Sequence, residues 1–300
     1  MSKRISRRSF VASLAAFSAF AARLPRLTRR LKVGHTGITW GVQPENAEAA
    51  IRDVGSLGFH AFESFATVLE WWETRGGIGQ LLERAELPLR SAYCPFDLTS
   101  VSGRRDEVAK ARRWGALIKK YGGSIAVIGP NPVARETFAF SESRSTILSA
   151  LGDIGLALDD VGVAGAIHPH LGSCVQSRDE IFRVMDGVDA RRIGLGPDVG
   201  ELLASGADPL PIVKELASAI RHVHLRDYHA GTHGDGFCPL GQGDVDFAGI
   251  VDALETSHRM PMLMVELNPP METARAPRAP LEAARAAKTY MESLGYAFRA

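Results

Sequence analysis

The chain lacks most of the features that mark specialised protein classes. Its three cysteines, Cys94, Cys174 and Cys238, are odd in number and form no closely spaced pair, so neither a disulfide framework nor a cysteine-bound metal is expected. They are expected to be small packing residues. A surplus of charge is also missing: 300 residues carry a net charge of +1, which gives no basic field for nucleic acid. No apolar run has the roughly 20 residues of a membrane span. Composition shifts, low-complexity tracts and internal repeats are absent as well, so residues 23–300 read as one domain.

The little positive charge there is belongs to the first segment. Residues 1–22 contain Lys3, Arg4, Arg7 and Arg8 and no acid, which leaves 31 basic and 34 acidic residues in the rest. Ser6-Arg-Arg-Ser-Phe10-Val11 resembles a twin-arginine export motif, and the uncharged stretch Ser9 to Ala22 has the length of a signal h-region. Residues 1–22 are therefore expected to be a twin-arginine signal peptide that takes the protein to the periplasm through the twin-arginine translocase. That route carries folded proteins, so a metal would be loaded before transport. The competing reading is an amphipathic tail or a retained anchor.

From residue 31 onward, short apolar runs alternate with helical patterns. Leu31 to Ile38, Phe59 to Ser64, Pro88 to Tyr93, Ser124 to Ile128, Val163 to His168, Arg192 to Asp198, Ile220 to Leu225 and Pro261 to Glu266 are eight candidate strands. Glu45 to Ser56, Asp106 to Lys120, Ser145 to Asp159, Asp179 to Met185, Phe247 to Glu255 and Leu281 to Leu294 are candidate helices. Eight strand–helix units predict a single-domain (β/α)8 TIM barrel. A doubly wound sheet would normally carry a Gly-rich phosphate turn after its first strand, and His35-Thr-Gly-Ile-Thr-Trp40-Gly41 is no such turn. The Pro-rich piece from Asn268 to Pro280 is expected to be the loop after the eighth strand.

Four metal-competent side chains, His168, Asp198, His224 and Glu266, end four of these runs. In a parallel barrel the strand ends share one mouth, so four distant residues are expected to form one site. Two imidazoles and two carboxylates suit one divalent Mn, Co, Zn or Fe(II) ion better than Ca. The same ion would polarise a carbonyl and stabilise an enediolate while a nearby base removes the α-proton.

Gly58-Phe-His-Ala-Phe-Glu63, His168-Pro-His-Leu-Gly172, His222-Val-His224-Leu-Arg-Asp227, Pro239-Leu-Gly-Gln-Gly-Asp244-Val-Asp-Phe247 and Val265-Glu266 together resemble the xylose-isomerase-like barrels. The likeness is strongest to the sugar phosphate isomerase/epimerase group and its inosose-dehydratase-like members. It implies a divalent metal held from strands five to eight, with Asp198, His224 and Glu266 on the family's Asp, His and Glu ligands. The chain departs from that pattern twice. His168 stands where epimerases have a Glu that doubles as an acid/base, and Glu201 stands where many relatives have His.

Glu63, His170 and Glu266 are the candidate catalytic groups. Glu63 is expected to act as base or to position a sugar hydroxyl, or else to pair with Arg90 or Arg226. His170 is expected to contact substrate, orient His168 or cap a loop. Trp40, Arg226 and Gln242 are the candidate substrate contacts, with Arg226 paired to Asp227. His222 is expected to turn away from His224 and pack. The substrate class is a small carbohydrate. Loss of the fifth-strand carboxylate favours a dehydratase or lyase working by α-proton abstraction and β-elimination. The alternatives are a ketose isomerase or epimerase with the same metal, and a non-catalytic exported sugar-binding protein.

The translocase reading depends on paired guanidinium groups, whose planar fork Lys lacks. Replacing Arg7 and Arg8 by Lys is expected to hold the protein in the cytoplasm, scored by fractionation. Undiminished export would remove this reading.

Overall fold

The computed structural model describes residues 29–231, 235–268 and 279–300. The export-like segment and most of the Pro-rich loop lie outside the described residues. Among the described residues, no helix is long and apolar enough to cross a membrane.

All eight apolar runs form strands. They are β1 Val33–Thr36, β2 Phe62–Phe65, β3 Leu89–Phe96, β4 Ile125–Pro130, β5 Ala164–Ile167, β6 Ile193–Leu195, β7 His222–Leu225 and, after a small hairpin of β8 Asp227–Tyr228 and β9 Phe237–Cys238, the final strand β10 Met262–Val265. The eight long-range strands pair in parallel in the order β6-β5-β4-β3-β2-β1-β10-β7. Isolated parallel bridges Leu195↔Ile220 and Asp198↔His224 join the two ends, so the sheet closes into the expected barrel. The second bridge includes His224 N–H donating to the Pro197 carbonyl at 2.9 Å. Barrel closure thus sets two of the candidate ligands side by side.

The helices are α1 Ala47–Ser56, α2 Ala66–Glu73, α3 Gly79–Arg84, α4 Arg104–Lys120, α5 Phe140–Asp159, α6 Arg178–Met185, α7 Val199–Ala204, α8 Pro209–Leu216, α9 Phe247–Glu255 and α10 Pro280–Ser293. α5 shows why they pack as they do: Ile147, Leu151, Ile154 and Leu158 recur every three or four residues and are wholly buried. Each such side chain contributes about 1.5–3 kcal/mol by leaving water. α6 begins at a capping box, with Ser177 and Glu180 satisfying each other's backbone N–H. α4 and α5 start earlier than expected because their first turns, Arg104-Arg105 and Phe140-Ser-Glu-Ser, carry no apolar repeat. The helices α2, α3, α7 and α8 were not among the expected ones; α3 and α7, at 6 residues each, are too brief for periodicity to mark.

The main core lies between strands and helices. Inside the barrel a separate small apolar cluster of Ile125, Val127 and Ala166, joined by Tyr93 and Ala164, fills only one side. The rest of the upper interior is polar, and there the candidate site lies.

Gly58, in the turn before β2, has φ +78°, and a Cβ built there would lie 2.3 Å from the Arg299 carbonyl oxygen. Its own carbonyl accepts the Arg299 N–H at 2.8 Å, which ties the C-terminal segment to the barrel. Gly58→Ala combines a left-handed backbone with a backbone clash and is expected to cost about 2–3 kcal/mol. Denaturant unfolding checks this, and an unchanged midpoint would contradict it.

Candidate active site

Strand termini deliver the four predicted ligands to one end of the barrel. His168 follows β5 directly, Asp198 caps α7 just beyond β6, His224 lies within β7, and Glu266 follows β10. All four are buried. His168, Asp198 and His224 each offer a ligand atom within 4.8 Å of the other two, and Glu266 Oε2 lies 3.1 Å from His224 Nδ1. The cavity above them is about 150 Å³ and presents His168, His170, His224, Arg226, Glu63, Glu266 and Asn268 on its polar side. Ile38, Phe65 and Tyr93 form the apolar side.

His168 Nδ1 donates to the Gly196 carbonyl at 3.1 Å, which fixes the tautomer and leaves Nε2 as an acceptor. Burial, with His224 and His170 adding to it, holds its pKa well below the usual imidazole value, so the ring is neutral. His224 is different. Burial alone would lower its pKa, but the carboxylates of Glu63 and Glu266 raise it to about 9. Glu63 Oε1 and Glu266 Oε2 sit 2.9 and 3.1 Å from its two ring nitrogens, yet neither nitrogen meets hydrogen-bond geometry. Both are buried donors or acceptors held near carboxylates without being satisfied.

Arg226 is almost wholly buried in the same place. Its Nη2 lies 2.7 Å from Asp198 Oδ2 and also pairs with Glu201, its Nη1 lies 3.5 Å from Glu266 Oε1, and its guanidinium stacks 4.2 Å over Phe237. Although burial opposes its charge, Asp198, Glu266 and Glu201 raise its pKa further. Asp198 Oδ1 meanwhile accepts the N–H groups of Gly200 and Glu201, so this carboxylate anchors α7 as well. Glu201 also reaches His170 Nε2 at 3.2 Å and the Leu171 N–H at 3.0 Å.

The donor set fits a divalent cation. Glu63, Asp198, Glu201 and Glu266 are four buried carboxylates facing one guanidinium and one imidazolium. That surplus of negative charge is costly inside a protein, and a divalent ion would offset it. Burial and the Asp198 and Glu63 charges push the Glu266 carboxyl above its usual value, the direction expected for a site short of positive charge. An unsatisfied His224 nitrogen and the preset His168 Nε2 would supply the nitrogen ligands. Asp198 Oδ2 is already engaged by Arg226, so an ion must share that oxygen with the guanidinium.

Several sequence expectations need correction. His222 does not turn away from His224: residues two apart share a strand face, and both rings point into the barrel. His222 Nε2 donates to Glu63 Oε2 at 2.6 Å, and Ser91 Oγ donates to the same oxygen at 2.6 Å. Glu63 accordingly pairs with neither Arg90 nor Arg226. Burial would raise its pKa, but His224 and His222 hold it well below the usual carboxylate range, which makes it a weak base. Arg226 and Asp227 do not pair, because neighbours on a strand point apart. Asp227 instead accepts N–H groups of Tyr228, Gly241, Gly243 and Val245 and so organises the Gly-rich loop. Gln242 on that loop is exposed, and Trp40 is half-buried with its indole N–H donating to Asp53 at 3.0 Å; neither lines the cavity. His170 does line it.

Sequence reasoning did not single out Ser91, Tyr93 or Asn268 for the site. Asn268 contributes a buried carbonyl oxygen with no partner among the described residues. Its place two residues after Glu266 was an available signal. For Tyr93 the signal was its position within the third run.

The family profile described as a xylose isomerase-like TIM barrel matches residues 51–292, and the chain belongs to that family. An inosose dehydratase of Clostridium beijerinckii is 28% identical over 192 residues, which cover 59% of this chain and 63% of that protein. The aligned part is thus under two thirds of the relative's length. Among solved structures, the IolI protein with a bound zinc atom superposes with TM-score 0.72 at 17% identity, covering 88% of this chain and 98% of that one. A probable 3-DHS dehydratase of Bacillus anthracis gives TM-score 0.71 at 14% identity, covering 87% and 99%. At such identities the two structures speak for the fold.

A metal taking His224 must displace the proton that its raised pKa holds at neutral pH. Metal affinity is therefore expected to rise by about tenfold per pH unit from 6 toward 9 and to level off above that. Chelator competition across this range reads it, and a pH-independent affinity would exclude His224 as a ligand. Elemental analysis is expected to find about one divalent ion per chain, lost in Asp198→Ala and Glu266→Ala.

Proposed function

We propose that this xylose-isomerase-like barrel is a metal-dependent dehydratase of keto-polyols, acting on an inosose-like ring ketone. The observation that carries the reading is the lack of a carboxylate at the β5 end of the cavity. Glu266 faces it from the end of β10, whereas the end of β5 holds the neutral imidazole of His168. An epimerase needs proton carriers on both faces of a carbon; an elimination needs one base and a way to lose hydroxide. The similarity to inosose dehydratases supports the same reading.

A divalent ion held by His168, Asp198, His224 and Glu266 would supply a Lewis acid for the substrate carbonyl. Glu266, whose carboxyl is raised by burial, takes the proton α to that carbonyl. His170 lines the cavity, its Nδ1 bonded to the Leu171 carbonyl and its Nε2 3.2 Å from Glu201 Oε1. It passes a proton to the departing hydroxyl. The C–H and C–O bonds break, a carbon–carbon double bond forms, and hydroxide leaves as water. Glu63 takes no proton; pinned by Ser91 and His222, it fixes the His224 ring. Ile38, Phe65 and Tyr93 cover the apolar face of the ring and exclude water.

Incubating metal-loaded protein with 2-keto-myo-inositol in heavy water is expected to give a product lighter by one water, seen by mass spectrometry, with little deuterated starting ketone or epimer. His170→Ala is expected to keep its metal and lose about 10²–10⁴-fold in turnover. Deuterium in an intact epimer would replace this reading with epimerisation. Metal retention without turnover on any keto-sugar would favour a binding protein.

A further inference from the structure

The phenol of Tyr93 is a polar group in the cavity that the mechanism leaves unused. Tyr93 stands on β3 with its ring inside the barrel, against the small apolar cluster of Ile125, Val127 and Ala166. Its ring meets Phe65 edge-on at 5.8 Å and His168 edge-on at 5.6 Å, so two sides are fixed. The third side is bare backbone. Gly129 on β4 lies under the ring, and a Cβ there would fall 2.1 Å from both Tyr93 Cζ and Oη. Only glycine at 129 allows the hydroxyl to lie where it does. Among the described residues that hydroxyl has no hydrogen-bond partner, and it is not sealed from the cavity it lines. A tyrosine hydroxyl that opens into a cavity while its ring is packed is placed to bond whatever occupies that cavity.

We infer that Tyr93 is a substrate-orienting residue whose phenol donates a hydrogen bond to a ring hydroxyl of a polyol bound beside His168, with Gly129 as the position that seats it. The inference rests on the keto-polyol reading of this cavity. It adds a contact beside His168 and Phe65, so that the ring is gripped by its edge as well as by its carbonyl. Burial, together with the nearby Glu266 and Glu201 charges, pushes the phenol's pKa up, so the hydroxyl remains a donor at any working pH. A ring lacking the matching hydroxyl would leave the phenol unpaired, and such a loss discriminates more sharply than a missing methylene.

Tyr93→Phe removes only the oxygen and keeps the ring packed. It is expected to retain metal content and melting temperature while binding of myo-inositol to metal-loaded protein, read by calorimetry, weakens about three- to tenfold. Across monodeoxy-inositols, the wild-type protein is expected to disfavour one isomer by a similar factor, and Tyr93→Phe to lose that preference. Gly129→Ala, where it folds, is expected to weaken binding likewise by displacing the phenol. Unchanged affinity and preference in Tyr93→Phe would overturn the inference. Inositol binding that depends on Tyr93 but comes without turnover of 2-keto-myo-inositol would keep the inference and remove the dehydratase reading. Turnover of 2-keto-myo-inositol that Tyr93→Phe leaves intact would do the reverse, whereas finding neither binding of any inositol nor turnover of 2-keto-myo-inositol would end both.

Discussion

A buried guanidinium among carboxylates is the constraint around which the upper barrel is arranged. Arg226 is about 1% exposed, and such a charge is tolerated only when its partners are placed in advance. Asp198, Glu201 and Glu266 come from two different strand ends and one helix, so the cluster can assemble only when the barrel has closed between β6 and β7 and α7 has formed. The Asp198 carboxylate does both jobs at once, capping α7 with one oxygen and holding Arg226 with the other. Closure of the sheet, the start of a helix and the charge balance of the site are thereby one event.

Beneath this lies a second polar tier. Ser91, Glu63 and His222 are hydrogen-bonded to each other in the barrel interior, and His224 is placed between that tier and Glu266. A catalytic group built on such a stack has little freedom to rotate, which is what a ligand with a preset geometry needs. The apolar wall opposite is simpler and made of few residues. A cavity of about 150 Å³ lined by both polar and apolar side chains would suit a ring that carries hydroxyls at its edge and C–H bonds on its faces.

The barrel was legible because a strand buried on both faces must be a short apolar run, and eight such runs separated by helical spacing allow few other architectures. The strand-end residues were legible for the related reason that polar residues interrupting an apolar run at the same point in several strands share one mouth. What the sequence did not disclose is pairing across the barrel. Nothing local in Glu63 indicates His222 or Ser91, and nothing local in Glu201 indicates Arg226, because these contacts join elements far apart in the chain. The facing of His222 was within reach, since a period of two places it with His224. Gln242 lies in a regular loop that resembles a site element, yet Asp227 draws that loop's backbone inward and leaves the Gln242 side chain outside. Tyr93 was hidden by its packing role, and only the neighbouring strand's Gly129 reveals where its hydroxyl goes.

The two departures from the family pattern read more coherently together than apart. The resemblance places a carboxylate where this chain has His168 and an imidazole where it has Glu201, so the exchange moves one negative charge from β5 to α7 without removing it. The demand for positive charge in the site is therefore preserved, which keeps a reason for a divalent ion. The end of β5, however, now presents a neutral imidazole whose Nδ1 is committed to the Gly196 carbonyl, which leaves Nε2 as its acceptor. Meanwhile the relocated carboxylate lies beside His170 at the rim, where a leaving group would depart. With the charge conserved but moved away from β5, the site keeps its demand for a cation and lacks a second carboxylate there to return a proton, which is the support that the proposed elimination draws from the two departures.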